Sequence, residues 1–245
     1  MLSDRQDAFG HEMHDYLNGK DGYEVVERDD GFIDNSLGPK LYFLEYEEWL
    51  ACEREAMGFV TGRVLDVGCG AGRHALYLQQ QGLEVVGIDS SPLAIEICRA
   101  RGLRSAQVLS ITQLSHRLGV FDTILMLGNN FALVGNPRRA RWLLKRFHRM
   151  TPRAGRIVAQ TRDPYKTDIP EHLEYHARNR ERGRMSGEAR IRVRYKKYVT
   201  PWIDFLMVSQ AELESILTGT GWAVARFIDG EQGTYIAVIE KAKGG

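Results

Sequence analysis

With 245 residues, 43% of them hydrophobic, the chain can bury one substantial core, so one domain with an appended subregion is expected rather than two independent folds. Lys and Arg number 33 against 32 Asp and Glu; the formal charge of +1 excludes a global field that would recruit nucleic acid or an anionic membrane, and any basic patch must be local. Cys52, Cys69 and Cys98 are odd in number, distant in sequence and without a CxxC pair, which argues against a disulfide framework or a thiolate metal site; the polar N-terminus and the lack of an apolar run near ~20 residues point to an unexported, cytoplasmic protein without a membrane span.

In chain order, HEMHDYL and the span from Tyr42 to Met57 read as helical, with the glycine- and aspartate-rich DDGFIDNSLGPK between them as loop, so residues 1–60 read as a helical lid over one end of a sheet. From Arg63 onward, residues 61–245 alternate short β-branched runs with amphipathic stretches, the pattern of strand-helix crossovers in a doubly wound, mostly parallel α/β sheet. VLDV is the first strand, and the helix from Arg73 to Gln81 stops at Gly82. LEVVGID is the second strand, and Ser91-Pro92 opens a helix that ends at Gly102. A third strand ends near Leu109, FDTILML is an apolar fourth, Asn136-Pro137 opens a basic amphipathic helix, and GRIVAQT is the fifth strand. Within the insert at about 163–208, a polar, arginine-rich stretch to Met185 precedes ARIRVRYKKYVT and WIDFLMV, two extended segments expected to pair antiparallel as a hairpin. Ser209 and Glu212 form a capping box, and WAVARFID and TYIAVIEK read as a C-terminal antiparallel hairpin.

The chemistry concentrates in LDVGCGAG, at a strand-helix junction where Gly68, Gly70 and Gly72 permit a tight turn and close approach of a ligand. A glycine-rich turn alone is equally compatible with dinucleotide binding, but here the glycines run G-x-G-x-G, without the wider last spacing of the dinucleotide fingerprint. Asp66 lies inside the strand, where an ionised carboxylate needs a cation or donors and would repel a pyrophosphate. Asp89 stands at the C-terminal end of the second strand, 89 − 66 = 23 residues on, placed to accept two hydrogen bonds from a vicinal diol or simply to cap the turn before Ser91.

The segment VLDVGCGAGRHALYLQQQGLEVVGIDSSPLAIEICRARG resembles the nucleotide-side half of class I S-adenosylmethionine-dependent methyltransferases, and the likeness extends loosely through FDTILML and the strand-helix-hairpin ending. The resemblance implies a Rossmann-like methyltransferase fold binding S-adenosyl-L-methionine, with S-adenosyl-L-homocysteine as product; because methyl transfer is an in-line displacement, no metal is required in principle. It implies that Asp66 organises the methionine amino end, that Gly68, Cys69 and Gly70 pack on the cofactor, and that Asp89, with Ser90 beside it, holds the ribose hydroxyls. Where the family commonly has an aspartate on the adenine amino group, this chain has Ser110 followed by Ile111, and the serine is equally readable as a turn residue.

After the fourth strand, Leu127, Asn129 and Asn130 are expected to face the methyl-transfer site, without the N-P-P-Y-like motif of amide and adenine methyltransferases; RDPY follows the fifth strand instead. Asn130, Asp163 and Tyr165 are the catalytic candidates, with His11, His14, Tyr42, Tyr46, His172 and His176 as further bases; for each base, Asp163 and Tyr165 included, a structural or solvent-exposed role is the stronger reading. For His74, in the first helix, packing or capping is the expected role. Period-two alternation puts Arg190, Arg192 and Arg194 on one strand face, read either as a wetted surface or as a wall for a carboxylate, a phosphate or an RNA backbone. The expected function is methyl transfer to a small-molecule acceptor, an anionic one being an option; RNA or protein methylation, a non-catalytic S-adenosylmethionine-binding module and an NAD-dependent oxidoreductase are the alternatives. The acceptor and the oligomeric state are not encoded in any motif.

Overall fold

A computed structural model describes residues 2–35 and 38–242. In chain order the elements are α1 (Ala8–Leu17), β1 (Val25–Arg28), β2 (Ile33–Asn35), α2 (Ala51–Met57), β3 (Val64–Val67), α3 (Arg73–Gln80), β4 (Val85–Asp89), α4 (Pro92–Ala100), β5 (Ala106–Val108), β6 (Thr123–Met126), α5 (Pro137–Arg149), β7 (Arg156–Arg162), α6 (Pro170–Glu181), β8 (Glu188–Tyr195), β9 (Tyr198–Val199), β10 (Ile203–Leu206), α7 (Gln210–Leu217), β11 (Trp222–Asp229) and β12 (Thr234–Lys241). Seven strands form the main sheet in the order β11-β12-β7-β6-β3-β4-β5. The β3–β4, β4–β5 and β6–β7 pairs are parallel, whereas β12 is antiparallel to both β7 and β11. The parallel core is the doubly wound sheet that the strand-helix rhythm predicts, and the antiparallel β11–β12 pair is the expected C-terminal hairpin.

The chain divides into two compact units, one made of the residues up to Trp49, Val64–Leu114 and Arg190–Ile203, the other of Leu50–Arg63, Ser115–Ala189 and the residues from Asp204 on. In the first unit, β3 and the first four residues of β4 are buried, as strands covered on both faces must be. The Ser91 hydroxyl accepts from Ala94 N at 2.9 Å and Pro92 takes the first helical position, so α4 starts where the sequence places it. Asp7, 1% exposed, ties two helix starts together: its carboxylate accepts from Gly10 N in α1 at 3.1 Å and from Leu93 N in α4 at 3.2 Å. Gly10 makes that approach possible, because a Cβ there would stand 2.5 Å from Asp7 Oδ1 and 2.6 Å from Ser91 Oγ.

In the second unit, Asn136 caps α5 by accepting from Arg139 N at 2.9 Å, and the helix buries Ala140, Leu143, Leu144 and Phe147, the i, i+3, i+4, i+7 stripe of an amphipathic helix. Trp222 of β11 donates its indole N–H to Leu144 O at 2.8 Å, fixing the C-terminal hairpin against α5. The buried runs Ile157–Ala159 and Tyr235–Ile239 supply the unit's central sheet core.

Two expectations need correction. Part of the N-terminal stretch read as loop is strand: Ile33–Asn35 forms β2, which pairs antiparallel with β1 just before that stretch, and β1 pairs on its other side with β8. Ser36 and Leu37 of that predicted loop lie outside the described residues. The smaller sheet thus runs β10-β8-β1-β2, with β9 also on β8, so ARIRVRYKKYVT folds back on itself at Lys196, φ +51°. The polar stretch before it contains a helix, α6, whose buried side chains are Tyr175, His176 and Asn179; so few apolar anchors leave almost no amphipathic signature.

Candidate functional site

The site begins where β3 ends. Gly68, Gly70 and Gly72 hold φ values of +74°, +53° and +83°, a left-handed sequence that side-chain-bearing residues resist. Gly68 N and Cys69 N both donate to Ile88 O, at 2.8 and 3.0 Å, so the turn is strapped to β4. Asp66, 1% exposed in the strand just before the turn, leaves its Oδ2 without a hydrogen-bond partner. Burial, reinforced by the Asp89 carboxylate, pushes the Asp66 carboxyl up to about 7, against the pull of Arg73 and the Ala75 N–H. A half-satisfied buried carboxyl of this kind is suited to an incoming cation.

Asp89 closes the other side. Its Oδ1 accepts from Ser91 N at 2.9 Å and its Oδ2 from Gly70 N at 3.0 Å. Burial raises its pKa while these N–H groups hold it down. The sequence left open whether Asp89 caps the turn or receives a diol; the capping bonds use one lone pair of each oxygen and leave acceptor capacity on both. Ser90 is exposed beside it. From β5, Leu109 N donates to Asp89 O at 2.8 Å, which brings Ser110 and Ile111 to the same strand ends. The Ser110 hydroxyl serves its own turn, 3.1 Å from Thr112 Oγ1 and 3.4 Å from Thr112 N.

The N-terminal elements pack on this turn. Met13 of α1 joins Ala71, Ala94 and Ile97 in one buried cluster, flanked by Phe9, Tyr42 and Phe43. A Cβ on Gly70 would touch the Tyr42 ring at 3.4 Å. The Tyr42 hydroxyl donates to Glu24 Oε1 at 3.5 Å, and the buried Glu12 carboxylate accepts from Glu24 N at 2.9 Å. Burial and the neighbouring Glu24 carboxyl push Glu12 up to about 9, so it is held protonated at neutral pH. His74 is buried against the edge of Trp49, with ring centroids 4.6 Å apart, and burial drives its pKa well below the ordinary value, as its expected packing role requires.

In the second unit, Leu127 is buried at the end of β6 and Asn129 adopts φ +63°, an unusual conformation for a residue with a side chain. Gln160 of β7, which sequence reasoning passed over, accepts from Gly128 N at 2.5 Å and from Asn129 N at 3.4 Å. Its signal was a single amide in the otherwise apolar strand GRIVAQT. The Asn129 Oδ1 is buried without a partner, whereas Asn130 opens a short 3-10 helix, Asn130–Val134. Asp163 accepts from Tyr165 N at 2.9 Å and so shapes a turn, and the Tyr165 hydroxyl donates to Glu212 Oε1 at 2.8 Å.

Other candidate bases have local partners. His11 contacts Asp4 Oδ1 at 2.9 Å and stacks on Tyr198, His14 lies 3.4 Å from Asn18 Nδ2, Tyr46 stacks on Tyr77, and His172 contacts Thr167 Oγ1 at 3.2 Å. The arginine face of β8 is matched within the first unit. Arg192 grips Glu27 through two bonds of 2.9 and 2.7 Å, Arg194 reaches the same carboxylate at 2.5 Å, and both Arg190 and Arg192 lie over Trp202. Among the described residues, no group of His, Cys, Asp and Glu is arranged to hold a metal ion, and no helix is long and apolar enough to cross a membrane.

The methyltransferase domain family matches residues 64–155, from β3 to the start of β7. Glycine/sarcosine/dimethylglycine N-methyltransferase of Actinopolyspora halophila is 29% identical over 160 residues, covering 62% of this chain and 26% of that protein. Glycine/sarcosine N-methyltransferase of Parasynechococcus marenigrum is 31% identical over 110 residues, covering 41% of this chain and 38% of that protein. The matched chain therefore spans well under half the length of these curated relatives. Over the whole fold, the crystal structure of an S-adenosylmethionine-dependent methyltransferase from Bacteroides fragilis in complex with S-adenosyl-L-homocysteine superposes with a TM-score of 0.84 at 26% identity, covering 99% of this chain and 98% of that one. Sheet order, glycine turn and paired carboxylates agree with these likenesses: residues 64–155 match the methyltransferase domain, and the fold is that of the S-adenosylmethionine-dependent methyltransferase of Bacteroides fragilis, which supports placing the chain with the class I S-adenosylmethionine-dependent methyltransferases.

Proposed function

We propose that this protein binds S-adenosylmethionine on the β3–α3 turn and methylates a small-molecule acceptor. The observation that carries the reading is the buried, unpartnered Asp66 Oδ2 beside three positive-φ glycines. When bound, S-adenosylmethionine supplies an electrophilic methyl group on a cationic sulfur. Asp66 receives the ammonium of the amino-acid tail, and the charge relieves a carboxyl that burial otherwise forces toward neutrality. Gly68, Cys69 and Gly70 let the tail approach the backbone, and Asp89 with Ser90 takes the ribose hydroxyls while still capping the turn. Ser110 and Ile111 complete the proposed cofactor contacts within the first unit.

Methyl transfer is an in-line displacement, so positioning carries most of the chemistry and no side chain need serve as an obligatory base. In the second unit, the orphaned Asn129 Oδ1, next to Asn130, is the atom we assign to accept a hydrogen bond from the acceptor. The relatives act on glycine, sarcosine and dimethylglycine, which supports a small metabolite. With Arg192 and Arg194 satisfied by Glu27, the arginine face gives no support to an anionic acceptor or an RNA backbone. Calorimetry with S-adenosylmethionine, S-adenosylhomocysteine and NAD tests the reading: the first two are expected to bind at micromolar affinity and NAD not at all. Binding of NAD alone would overturn it.

A further inference from the structure

The fold brings two of the three cysteines together. Cys69, at the centre of the glycine turn, and Cys98, on α4, have Sγ atoms 3.8 Å apart. Their residues are 7% and 0% exposed. The Cys98 thiol donates to Gly70 O at 3.1 Å, and Gly72 leaves room for it, since a Cβ there would stand 2.9 Å from the Cys98 sulfur. A disulfide needs sulfurs about 2.05 Å apart, and Gly68 and Gly70, on either side of Cys69, give the turn freedom to close that gap. Cys52 lies in the second unit, where its sulfur packs beside Gly230.

We propose that Cys69 and Cys98 form a reversible disulfide that withdraws the turn from its ligand. The oxidant is a peroxide. One thiolate attacks a peroxide oxygen, the O–O bond breaks, and a sulfenic acid and one water result. The second thiol attacks the sulfenyl sulfur, the S–O bond breaks, and the S–S bond forms as a second water leaves. Two electrons pass from the sulfurs to the peroxide, and a dithiol returns them. The hydrogen bond with Cys98, burial, and the Asp89 and Asp66 carboxylates hold the Cys69 thiol well above its ordinary pKa, so the reduced pair is slow to react while the turn stays closed.

The new bond abolishes the Cys98 donation to Gly70 O and draws Cys69 toward α4. Gly70 N is bonded to Asp89, so the contact between the turn and Asp89 is disturbed with it. This regulatory consequence rests on the cofactor reading of the turn, whereas formation of the bond does not.

The test treats reduced protein with hydrogen peroxide, with and without S-adenosylhomocysteine, then alkylates and maps the thiols by mass spectrometry while calorimetry follows S-adenosylhomocysteine affinity. The expected result is a linked peptide pair containing Cys69 and Cys98, an affinity fall of about tenfold or more, recovery with dithiothreitol, and slower linkage when the ligand is bound. Cys98→Ser, with Cys98→Ala should the serine variant not fold, is expected to lose both the link and the affinity change relative to its own untreated state, and Cys52→Ser to keep both. Oxidation that leaves Cys69 and Cys98 alkylatable, or a link that leaves affinity untouched, overturns the proposal. Failure of the untreated protein to bind S-adenosylhomocysteine defeats the cofactor reading instead, and the peptide map still decides the bond.

Discussion

The glycine turn and the segment that follows β7 treat their polar groups in opposite ways. Around the turn, Asp66 keeps a buried oxygen without a partner and a carboxyl pushed up to about 7, a cost that Arg73 and the Ala75 N–H offset only in part. After β7, Asp163 is committed to Tyr165 N and Tyr165 to Glu212, and on β8 Arg192 and Arg194 are committed to Glu27. Unsatisfied burial marks a place prepared for a ligand, whereas satisfied polar groups mark architecture. Density of charge in the sequence does not separate the two, because the arginine-rich strand is the more highly charged and the better compensated.

Asp66→Asn tests that contrast most severely. Removing the charge is expected to weaken S-adenosylmethionine binding by about 3 kcal/mol, roughly 150-fold, because the ligand's ammonium loses its buried counter-charge. The same substitution is expected to raise the melting temperature of the ligand-free protein at pH 8. The sign follows from linkage: Asp66 has a folded-state pKa of about 7 against 3.8 unfolded, so its contribution to stability is full below about pH 4 and is lost as pH rises through 7. Cofactor affinity should run the other way, increasing from pH 6 to pH 8 as the carboxyl ionises, and the asparagine variant should lose that dependence. A variant with lower stability and unchanged affinity would make Asp66 architectural.

Asp89→Ala comes next, with an expected loss of about 1.5–3 kcal/mol in S-adenosylhomocysteine affinity when a charged hydrogen-bonding partner of the sugar is deleted. Because Asp89 also holds Gly70 N and Ser91 N, Asp89→Asn is the companion. It keeps one acceptor oxygen, so an intermediate loss is expected; full affinity in both variants would confine Asp89 to the turn.

The parts of the molecule legible in sequence are those set by local chemistry. Ser91-Pro92 and Asn136-Pro137 start helices because capping and a fixed φ act within a few residues, and Asp66, Gly68, Gly70 and Asp89 are placed by one strand-turn-helix-strand crossover. What stayed hidden depends on distant partners. The four residues of β1 carry little strand signal, and Glu27 meets Arg192 only because β8 returns to pair with it 165 residues later. Cys69 and Cys98 look unrelated in sequence because their proximity is made by the packing of α4 on the turn. Gln160 and Asp7 act by binding backbone N–H groups of other segments, which no spacing rule reveals.

On the compensated side, smaller effects are expected. Changing Arg192 and Arg194 together to Gln should alter S-adenosylhomocysteine affinity by less than about twofold, since the guanidinium groups serve Glu27 at the surface of the small sheet. Acceptor methylation, measured as S-adenosylhomocysteine release over a panel of amines, alcohols and carboxylates, should keep its wild-type order. A selective loss of carboxylate substrates would restore the anion wall.

The smallest effect is expected for Tyr165→Phe. Tyr165 is 50% exposed, and its hydroxyl proton is already given to Glu212 Oε1 at 2.8 Å. Burial and the Glu212 carboxylate raise its pKa, against a hydrogen bond with Ser186, so the phenol is a poor base at neutral pH. Phenylalanine keeps the ring and deletes one surface hydrogen bond, so the methylation rate with any acceptor found in the panel should remain within about twofold of wild type. A fall of about a hundredfold or more in rate, with S-adenosylhomocysteine affinity preserved, would mean that Glu212 positions Tyr165 for proton transfer. It would also mean that an internally satisfied hydrogen bond can hide a catalytic group, and the contrast with the glycine turn would lose its diagnostic value.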